Sequence, residues 1–383
     1  MFFKIGKMKY KTLDDFNFKG KRVLLRSDLN SPVVRGKVVM NDRLVESAKT
    51  IRELKGEGAR VVILAHQSRK GKSDFISLKQ HAKLLKINFV DDVVGKKARD
   101  EIERLKNGEA ILLDNVRFVK DEFNPSARNK LVKAFKDFDI YINDAFSVSH
   151  RRQTSIVSFP AVMKSGVGRL MERELRNLER VKKMNNCLFI LGGAKPEGNI
   201  VLAKGKKNIL VCGLFGQLCL TAEGYNLGAQ NKVLKKEMKF FGALKRMSGA
   251  CTRPFDLAVN ANGRRAELDI EDFPSKYYVY DIGKKTQTEF VNRIEKAKCV
   301  FMSGPAGYCE DRKFCQGTKS LLLAISRNRG FSMIAGGHLT SALEKSGISK
   351  KKFGFVSLAG GALEDFLAGR KLVGLEALRR CRN

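Results

Sequence analysis

The stretch RVLLRSDLNSP, residues 22–32, decides the fold class. It leads a short apolar run directly into a polar loop. The same arrangement returns in ARVVILAH (59–66), EAILLDNVRF (109–118) and DIYINDAF (139–146). Near-continuous apolar runs of this length are typical of strands that are buried on both faces, as in parallel sheets.

Similar apolar runs continue to the end of the chain. They are residues 87–94, 187–193, 208–213, 254–259, 277–283, 299–307, 331–337 and 354–361. Between them lie amphipathic stretches such as 42–58 and 286–298, which predict helices. Alternating strands and helices indicate the α/β class, here two doubly wound, Rossmann-like parallel sheets. A charged segment of helical periodicity at 167–184 favours a domain boundary near residue 165; the alternative is a surface helix of one large domain.

Composition excludes several other classes of protein. A hydrophobic content of 43% over 383 residues is enough for a packed core, and no apolar run approaches the about 20 residues of a membrane span. The first residues contain no signal-peptide pattern, so we expect a cytoplasmic protein with no membrane contact. The eight cysteines are scattered. We expect buried free thiols, with a disulfide or zinc framework as the alternative.

The charge balance is unusual. Lysine and arginine outnumber aspartate and glutamate by 74 to 40, a net charge of +34. The short basic runs KGKK (204–207), KKK (350–352) and RR (379–380) are dispersed along the chain, and no nucleic-acid-binding motif accompanies them. We therefore expect nonspecific polyanion contact and steering of anionic substrates, both salt-dependent, with a specific nucleic-acid function as the alternative.

Charged and polar residues follow the strands of the first half of the chain. Five of them are cationic or potentially so, and the others are hydrogen-bonding: Asp28, Asn30, Arg43, His66, Arg69, Arg117 and Arg151. Parallel sheets bind ligands beyond the carboxyl ends of their strands. Arginine binds phosphate and carboxylate oxygens in pairs. The pattern predicts a pocket for a small phosphorylated acid, although each arginine alone is typical of a surface ion pair.

These segments resemble the phosphoglycerate kinase family, particularly its archaeal form. Four later stretches continue the resemblance: LGGAKPEGNI (191–200), SGPAGYCE (303–310), IAGGHLTSA (334–342) and FVSLAGGALEDFLAG (355–369). The motifs cover nearly the whole chain in family order. The resemblance implies a 3-phosphoglycerate domain at 1–165, a nucleotide domain at 166–361 entered through the linking helix at 167–184, and a segment at 362–383 that packs back on the first domain. It also implies a hinge and domain closure.

The resemblance assigns roles to individual residues. It implies that 3-phosphoglycerate is bound by Asp28, Leu29, Asn30, Arg43, His66, Gln67, Ser68, Arg69, Arg117 and Arg151. It implies that ATP or ADP is bound by Lys195, Gly213, Glu310, Ala335, Gly336, Gly337 and His338, with Mg²⁺ on the nucleotide and no metal site in the protein. Transfer is assigned to Arg43, Lys195, Gly337 and Gly360. For each glycine the alternative interpretation is that it only forms a turn. For Glu310 the alternative is that it is a solvent-exposed glutamate with no ligand.

The nucleotide motifs depart from the family pattern. Alanine stands at Ala335 and Ala359 where glycine is usual, and an alanine with positive φ would cost about 1–2 kcal/mol. Gly198 replaces an acidic residue, Pro196 removes an N–H after Lys195, and Ser68 replaces a common glycine. His338, in place of aspartate, is an archaeal trait of the family.

The implied reaction is reversible transfer of a phosphoryl group between ATP and the carboxylate of 3-phosphoglycerate, giving 1,3-bisphosphoglycerate and ADP, as in glycolysis and gluconeogenesis. We expect a monomer. Two alternatives stay open at this point. One is a degenerate relative that binds phosphorylated acids or nucleotide with little turnover. The other is a basic polyanion-binding protein on the same scaffold.

Overall fold

The chain forms two compact units in a computed structural model that describes residues 3–5 and 8–381. One unit comprises Met1–Glu179 with Arg370–Asn383, and the other comprises Arg180–Gly369. The domain limits that we placed from the sequence at 165 and 361 stay a prediction. No helix in the described residues has both the length and the apolar character needed to cross a membrane.

The first unit is built on a six-stranded parallel sheet of order β10-β9-β3-β6-β8-β7. Its strands are β1 (Phe3–Ile5), β2 (Met8–Tyr10), β3 (Arg22–Arg26), β4 (Val33–Val34), β5 (Lys37–Val38), β6 (Arg60–Leu64), β7 (Asn88–Val90), β8 (Ala110–Leu113), β9 (Ile140–Asn143) and β10 (Lys164–Val167), of which β1-β2 and β4-β5 are separate hairpins. Its helices are α1 (Asp42–Gly56), α2 (Lys79–Leu85), α3 (Lys96–Arg104), α4 (Lys130–Lys133), α5 (Thr154–Val157) and α6 (Arg169–Lys183), which runs on into the second unit.

The second unit contains a second six-stranded parallel sheet, of order β13-β12-β11-β17-β18-β19. The strands are β11 (Leu188–Leu191), β12 (Ile209–Val211), β13 (Cys251–Thr252), β14 (Asp256–Ala261), β15 (Arg264–Asp269), β16 (Val279–Ile282), β17 (Cys299–Ser303), β18 (Phe331–Ala335) and β19 (Phe355–Val356). The helices are α7 (Pro196–Ala203), α8 (Gly213–Ala222), α9 (Gln230–Leu234), α10 (Phe241–Lys245), α11 (Lys284–Lys296), α12 (Gln316–Arg327), α13 (Gly337–Ser346), α14 (Gly361–Leu367) and, belonging to the first unit, α15 (Val373–Arg379).

Short 3-10 helices complete the connections. In the first unit they are Leu13–Asp15, Val116–Phe118, Lys120–Phe123, Phe146–Val148 and Phe159–Ala161, and in the second they are Lys235–Phe240, Ser248–Ala250, Ile270–Asp272, Arg312–Phe314 and Lys350–Lys352. Each large sheet lies in its own apolar core. Fully buried residues such as Val23 and Ile63 belong to the first core, and Ile190 and Met302 belong to the second.

The doubly wound α/β class is confirmed, and each apolar run predicted as a strand contains one. The sheet assignment of two runs was wrong. Residues 254–259 and 277–283 lie in β14 and β16, which pair antiparallel around β14 in a separate three-stranded sheet with β15. The hairpin partner β15 was not predicted, because the exposed, charge-rich sequence RRAELD carries little apolar signal.

The prediction of free cysteines was wrong for four of the eight residues. Disulfide bonds join Cys187 to Cys299 and Cys309 to Cys315, whereas Cys212, Cys219, Cys251 and Cys381 are free. Cys187 and Cys299 directly precede Leu188 and Val300, which are partners across the neighbouring strands β11 and β17. Scattered spacing along the sequence did not reveal this pairing, because parallel strands bring together residues that are 112 positions apart.

Candidate functional site

The first candidate site lies beyond the carboxyl ends of four neighbouring strands. The order β9-β3-β6-β8 makes these strands consecutive in the parallel sheet. Asp28 and Asn30 follow β3, His66 follows β6, Arg117 follows β8 and Arg151 follows β9. The loops that the sequence marked as polar therefore leave the sheet side by side. Arg43 joins them from the first turn of α1, whose start is capped by the side chain of Asn41.

His66 lies at the centre of this site as a neutral imidazole. It is 3% exposed, and its Nδ1 is 3.1 Å from Nη2 of Arg26. A guanidinium can only donate, so Nδ1 accepts and the ring proton is on Nε2. Burial, followed by the charges of Arg26, Arg117, Arg151 and Arg43, lowers the pKa of His66 well below its ordinary value. Since four guanidiniums act on one imidazole, the structure brings these cations together.

Arg26 is a residue of this site that the sequence reasoning missed. It is fully buried, and its Nε donates to Oγ of Ser155 at 2.8 Å. Ser155 Oγ in turn donates to Oε1 of Glu122 at 2.7 Å. Glu122 is itself buried, which raises the pKa of its carboxyl group, while the charge of Arg26 lowers it. An arginine directly after the apolar residues 23–25 was the available signal, because a charge buried at that position needs a partner.

The loop after β6 is tied to the loop after β3. The main-chain N–H of Ser68 donates to Oδ1 of Asn30 at 2.7 Å, and Nη1 of Arg117 donates to the Ser68 carbonyl oxygen. Ser68 has φ of 53°, a left-handed conformation, which explains why glycine suits this position. Asp28 is paired with Arg43 at 3.4 Å. Burial, as the largest cause, lowers the pKa of Arg117 to about 10.

The remaining predicted ligands of this site differ in exposure. Leu29 belongs to the apolar core, and Gln67 is fully buried with its amide exchanging two 2.9 Å hydrogen bonds with the main chain of Ser31. These two side chains support the loops from below. Arg69 and Arg151 both have exposed side chains. Partial desolvation of the Arg151 guanidinium lowers its pKa, and the positive charge of Arg69 lowers it further, which indicates that the two guanidiniums are near each other.

The second candidate site is a cavity at the carboxyl edge of the sheet in the second unit. Its volume is ≈ 410 Å³, within the range of about 300–1,000 Å³ usual for small-molecule sites. The lining includes Gly193, Gly213, Leu214, Gln217, Val279, Tyr280, Pro305, Tyr308, Glu310, His338 and Lys345. Apolar and aromatic walls with a few polar groups suit a nucleoside, since its base is flat and its ribose and phosphates are polar.

Gly213 lines this cavity, whereas Gly336 forms a left-handed turn after β18 and is not among the lining residues. Gly213 has φ of 57°, and a Cβ there would lie 2.7 Å from both the N atom of Gly193 and the carbonyl oxygen of Pro305. The chain segments that follow β11, β12 and β17 therefore approach one another so closely that a side chain at Gly213 would not fit. Gly336 has φ of 98° and precedes α13, whose first N–H groups have no partner inside the helix. A helix of ten residues that begins here favours phosphate oxygens.

The two alanines that depart from the family pattern carry no left-handed strain. Neither Ala335 nor Ala359 is among the described non-glycine residues with positive φ. Ala335 is the last residue of β18, and the left-handed position falls on Gly336. Gly360 precedes α14, and a Cβ at Gly360 or at Gly337 would meet no atom within 4 Å. The strain expected for an alanine at these positions therefore does not arise.

The departures after Lys195 also have local explanations. Lys195 precedes α7, and Pro196 is at its first turn, where a helix uses no N–H of its own. A Cβ at Gly198 would lie 2.4 Å from Oε2 of Glu364, so this carboxylate occupies the space beside the glycine. Burial raises the pKa of Glu364 and the charge of Lys195 lowers it. Asn199 donates to the Gly192 carbonyl oxygen at 2.8 Å and holds the turn.

The cavity lining contains an ion pair of which the sequence analysis predicted one partner, Glu310, and not the other, Lys345. Glu310 pairs with Lys345 at 3.5 Å. Sequence reasoning missed Lys345, but helical periodicity from His338 could have found it, because Ser341, Ala342 and Lys345 follow at three, four and seven positions and line the same cavity. Sequence reasoning also missed the tyrosines of the lining: Tyr280 lies in the antiparallel strand β16, and Tyr278 directly precedes that strand.

The donors around the cavity fit a magnesium ion that is carried by nucleotide phosphates. Within residues 3–5 and 8–381, no group of three or more His, Cys, Asp or Glu side chains could hold a metal ion. Glu310 is the acidic residue of the lining, and it is paired with Lys345. Mg²⁺ commonly keeps several waters and binds through phosphates with one or two carboxylates. These residues therefore suit a metal that enters with its nucleotide.

An anion site at one doubly wound sheet and a nucleoside-shaped cavity at another define a class of protein, the two-domain α/β phosphotransferases. A scan of known families matches residues 13–370 to the model described as phosphoglycerate kinase. Phosphoglycerate kinase of Methanothermus fervidus is 40% identical over 98% of both chains, and that of Sulfurisphaera tokodaii is 39% identical over 98% of this chain and 97% of its own.

Solved structures agree with the sequence relatives. The crystal structure of phosphoglycerate kinase from Pyrococcus horikoshii OT3 matches with a TM-score of 0.89 at 32% identity, covering 96% of this chain and 98% of that one. The enzyme from Coxiella burnetii matches with a TM-score of 0.82 at 28% identity, covering 97% and 100%. The chain belongs to the phosphoglycerate kinase family.

Proposed function

We propose that the chain catalyses reversible phosphoryl transfer between ATP and the carboxylate of 3-phosphoglycerate, the step shared by glycolysis and gluconeogenesis. The convergence of four guanidiniums on the neutral His66 is the observation that carries this proposal. Such a site suits a ligand with both a phosphate and a carboxylate, because each anionic group can engage its own cations. The adjacent Nε2–H adds a neutral donor.

We assign binding of the acid to Asp28, Asn30, Arg43, His66, Arg69, Arg117 and Arg151. In this proposal Arg117 and Arg151 bind one anionic group, and Arg43, paired with Asp28 in the absence of ligand, turns to the other. Leu29, Gln67 and Ser68 position these loops. The acceptor is already a carboxylate, so no base is needed to activate it, and catalysis depends on alignment and on neutralising charge.

We assign binding of ATP or ADP to the cavity of the second unit. Gly213 borders the base, Glu310 is placed for the ribose hydroxyls, and the N–H groups at Gly336 and Gly337 face the phosphates, with Ala335 and His338 beside them. Lys195 supplies a mobile positive charge to the transferring group, and the amides near Gly360 assist it. Magnesium would neutralise phosphate charge when bound with the nucleotide. Domain closure, a monomeric state and a cytoplasmic location stay predictions.

The degenerate-relative alternative loses its motivating observations. Pro196, Gly198, Ala335 and Ala359 each fit their positions without strain, and Lys195 is retained. A coupled assay of ATP-dependent 1,3-bisphosphoglycerate formation tests the proposal, with Lys195→Ala as the matched control. We expect turnover of about 1–100 s⁻¹, as for kinases generally, and a loss of at least about a hundredfold in the variant.

The outcome that would contradict this function is specific. A folded protein that binds 3-phosphoglycerate and ADP calorimetrically, yet shows no turnover above the Lys195→Ala variant, would be a binding protein and no kinase. If 3-phosphoglycerate binding is itself absent and Arg117→Ala changes nothing, the assignment of the first site is wrong as well.

A further inference from the structure

The second sheet has a strongly basic edge that the proposed function does not use. We call it the amino edge; it is where β11, β12, β17, β18 and β19 begin. All five strands are parallel, so the segments that enter them lie at the same edge. These segments carry fourteen lysines and arginines and one acidic residue, Glu295: residues 180–187, 204–208, 293–298, 327–330 and 350–354. Basic residues that are dispersed along the sequence are therefore brought to one edge of this sheet.

The charge is specific to this edge. The segments that leave the same five strands, on the side of the nucleotide cavity, carry three basic and five acidic residues: residues 192–198, 212–217, 304–313, 336–342 and 357–365. At the edge where the strands of the first sheet begin, acidic residues stand among the basic ones: Glu57, Glu109, Asp137 and Asp139. A general excess of lysine and arginine would not produce these differences.

The amino edge is also concave. Two adjoining cavities of ≈ 580 and ≈ 540 Å³ share Lys296, Ala297 and Lys298. One extends over residues 327–330, and the other over Asn185, Asn186, Asn208 and Arg293. Together they cross the beginnings of β12, β11, β17 and β18, which are consecutive in the sheet. With strands about 4.8 Å apart, the groove runs for roughly 14 Å.

The cations of the groove are available to a ligand. Lys296, Lys298, Arg327 and Arg329 are exposed, and within the described part of the chain none of them forms an ion pair with a carboxylate. By contrast, Arg293 donates to Asn208 and Thr252 and is held in place. Four exposed cations along an elongated groove, with amide side chains between them, suit a linear polyanion better than a planar membrane surface.

We propose that the groove of the amino edge binds the phosphate backbone of a single-stranded nucleic acid without reading its bases. Among the described residues, no aromatic side chain lines either cavity, so this lining offers no platform on which a base would stack. Its lining consists largely of the last residues of α11 and α12 and the connections that lead into the strands, so a ligand meets helix ends and loops rather than the whole helix or ribbon that enters the major groove of a duplex. Lysine and arginine contacts to phosphate carry the affinity.

The test is fluorescence anisotropy with labelled single-stranded RNA of about twelve nucleotides, as oligo(U) and as a mixed sequence, in a series of salt concentrations. The test variant combines Lys296→Gln, Lys298→Gln, Arg327→Gln and Arg329→Gln. The control variant combines Lys96→Gln, Lys97→Gln, Arg99→Gln and Lys106→Gln, four exposed residues of the first unit, and loses the same charge.

We expect the test variant to bind at least about tenfold more weakly at about 0.1 M salt, with a salt slope reduced by about 3, since each lost phosphate contact removes about 0.7. The control should change binding less than about twofold. Both RNAs should bind equally, and saturating MgADP should not displace them, because the nucleotide cavity is at the opposite edge of the sheet. Unchanged kinase turnover will show that the test variant is folded.

Three results would overturn the proposal. Equal losses in the two variants would show that net charge alone carries the binding. Displacement by MgADP would place the RNA in the nucleotide cavity. Binding of inorganic polyphosphate at the groove, with no binding of either RNA, would assign the groove to a different polyanion.

Discussion

His66 is a buried histidine that the fold keeps neutral within a cluster of positive charge. Its pKa is lowered below the ordinary value, so the folded state binds fewer protons than the unfolded chain just below about pH 6.5. The stability contributed by this residue is therefore complete above that pH and declines as the pH falls. The neutral form also leaves its Nε2–H as a hydrogen-bond donor at neutral pH without adding a fifth positive charge to the site.

Nitrogen-15 NMR of the histidine side chains measures this state directly. At about pH 6, where an exposed histidine is largely protonated, we expect His66 to be neutral with its proton on Nε2. In Arg26→Gln the His66 pKa should rise, because a nearby positive charge is removed. His81 is the internal control, since burial alone lowers its pKa to about 4. A protonated His66 in the wild-type protein at this pH would contradict the assignment.

Gly336 and Gly337 form a matched pair for a test of the phosphate turn. Gly336 has φ of 98°, whereas Gly337 is helical, and neither position is crowded. Gly336→Ala should cost about 1 kcal/mol or more and weaken ADP binding about fivefold to tenfold, because the turn must shift. Gly337→Ala should change the dissociation constant less than about twofold. Calorimetric titration with MgADP checks both, and equal effects would show that conformation at Gly336 is unimportant.

At this scale the sequence predicted residue types well and their surroundings poorly. His66, Arg117 and Arg151 stood out because each follows a strand, whereas Arg43 was also expected after a strand but lies in the first turn of α1. Gln67 looked equivalent to its neighbours in AHQSRKG, yet it is fully buried. The reason is that a loop alternates between facing the ligand and facing the core, and a single sequence does not show which residue faces which side.

Among the elements, α6 depends on a buried acid at its start. The main-chain N–H of Met171 donates to Oδ1 of Asp144 at 3.0 Å, and Gly168 packs so closely that a Cβ would lie 2.4 Å from this carboxylate. Burial, the largest cause, raises the pKa of Asp144 to about 7. The folded state thus binds an extra proton between about pH 4 and pH 7, and stability from this group declines as the pH rises through that window.

Asp144→Asn removes this titration while keeping an oxygen for Met171. Relative to the wild type, the variant should gain on the order of 3 kcal/mol in free energy of unfolding between about pH 4 and pH 7. Urea unfolding at several pH values measures the difference. Asp14→Asn is the control, since Asp14 is largely exposed and a hydrogen bond from Arg169 lowers its pKa. The stability contributed by Asp14 therefore declines as the pH falls, the opposite of the pH dependence expected for Asp144. Parallel pH curves for Asp144→Asn and wild type would contradict the prediction.

Elements with a strong apolar period were predictable from the sequence, and weakly apolar ones were not. α1, α6 and α11 fall at 42–56, 169–183 and 284–296, within a few residues of the predicted helices. The missed strands β10 and β15 are short or exposed, so their formation depends on neighbours in the sheet. The runs of β14 and β16 were predicted as strands, but an apolar run does not show the direction of a strand, so their antiparallel pairing was missed.

In the molecule as a whole, the two disulfides should contribute unequally to stability. The chain-entropy model expects a cross-link over a long loop to stabilise more than one over a short loop, about 4–5 kcal/mol near 100 residues and about 2 for a few. The bonds at Cys187–Cys299 and Cys309–Cys315 span 112 and 6 positions. Replacing the first pair by alanine should lower the free energy of unfolding of the second unit more than replacing the second pair.

Denaturant unfolding without reductant compares these two variants with each other and with the wild type. Alkylation followed by mass spectrometry serves as the control for bond formation, and four reactive thiols are expected after unfolding. Eight reactive thiols would show that neither bond forms, and a larger loss for the short loop would contradict the entropic account.

The first unit is interrupted in the chain, since its last segment, 370–383, follows the whole of the second unit. Within that segment the N–H of Gly374 donates to the carbonyl oxygen of Ser149 at 2.9 Å, and Leu375 is buried. A ribosome therefore delivers every residue of the second unit before it delivers these partners. Because domains generally fold as units during synthesis, the half that is translated first is completed last. A nascent chain then holds a finished second unit while its first unit still awaits its final helix.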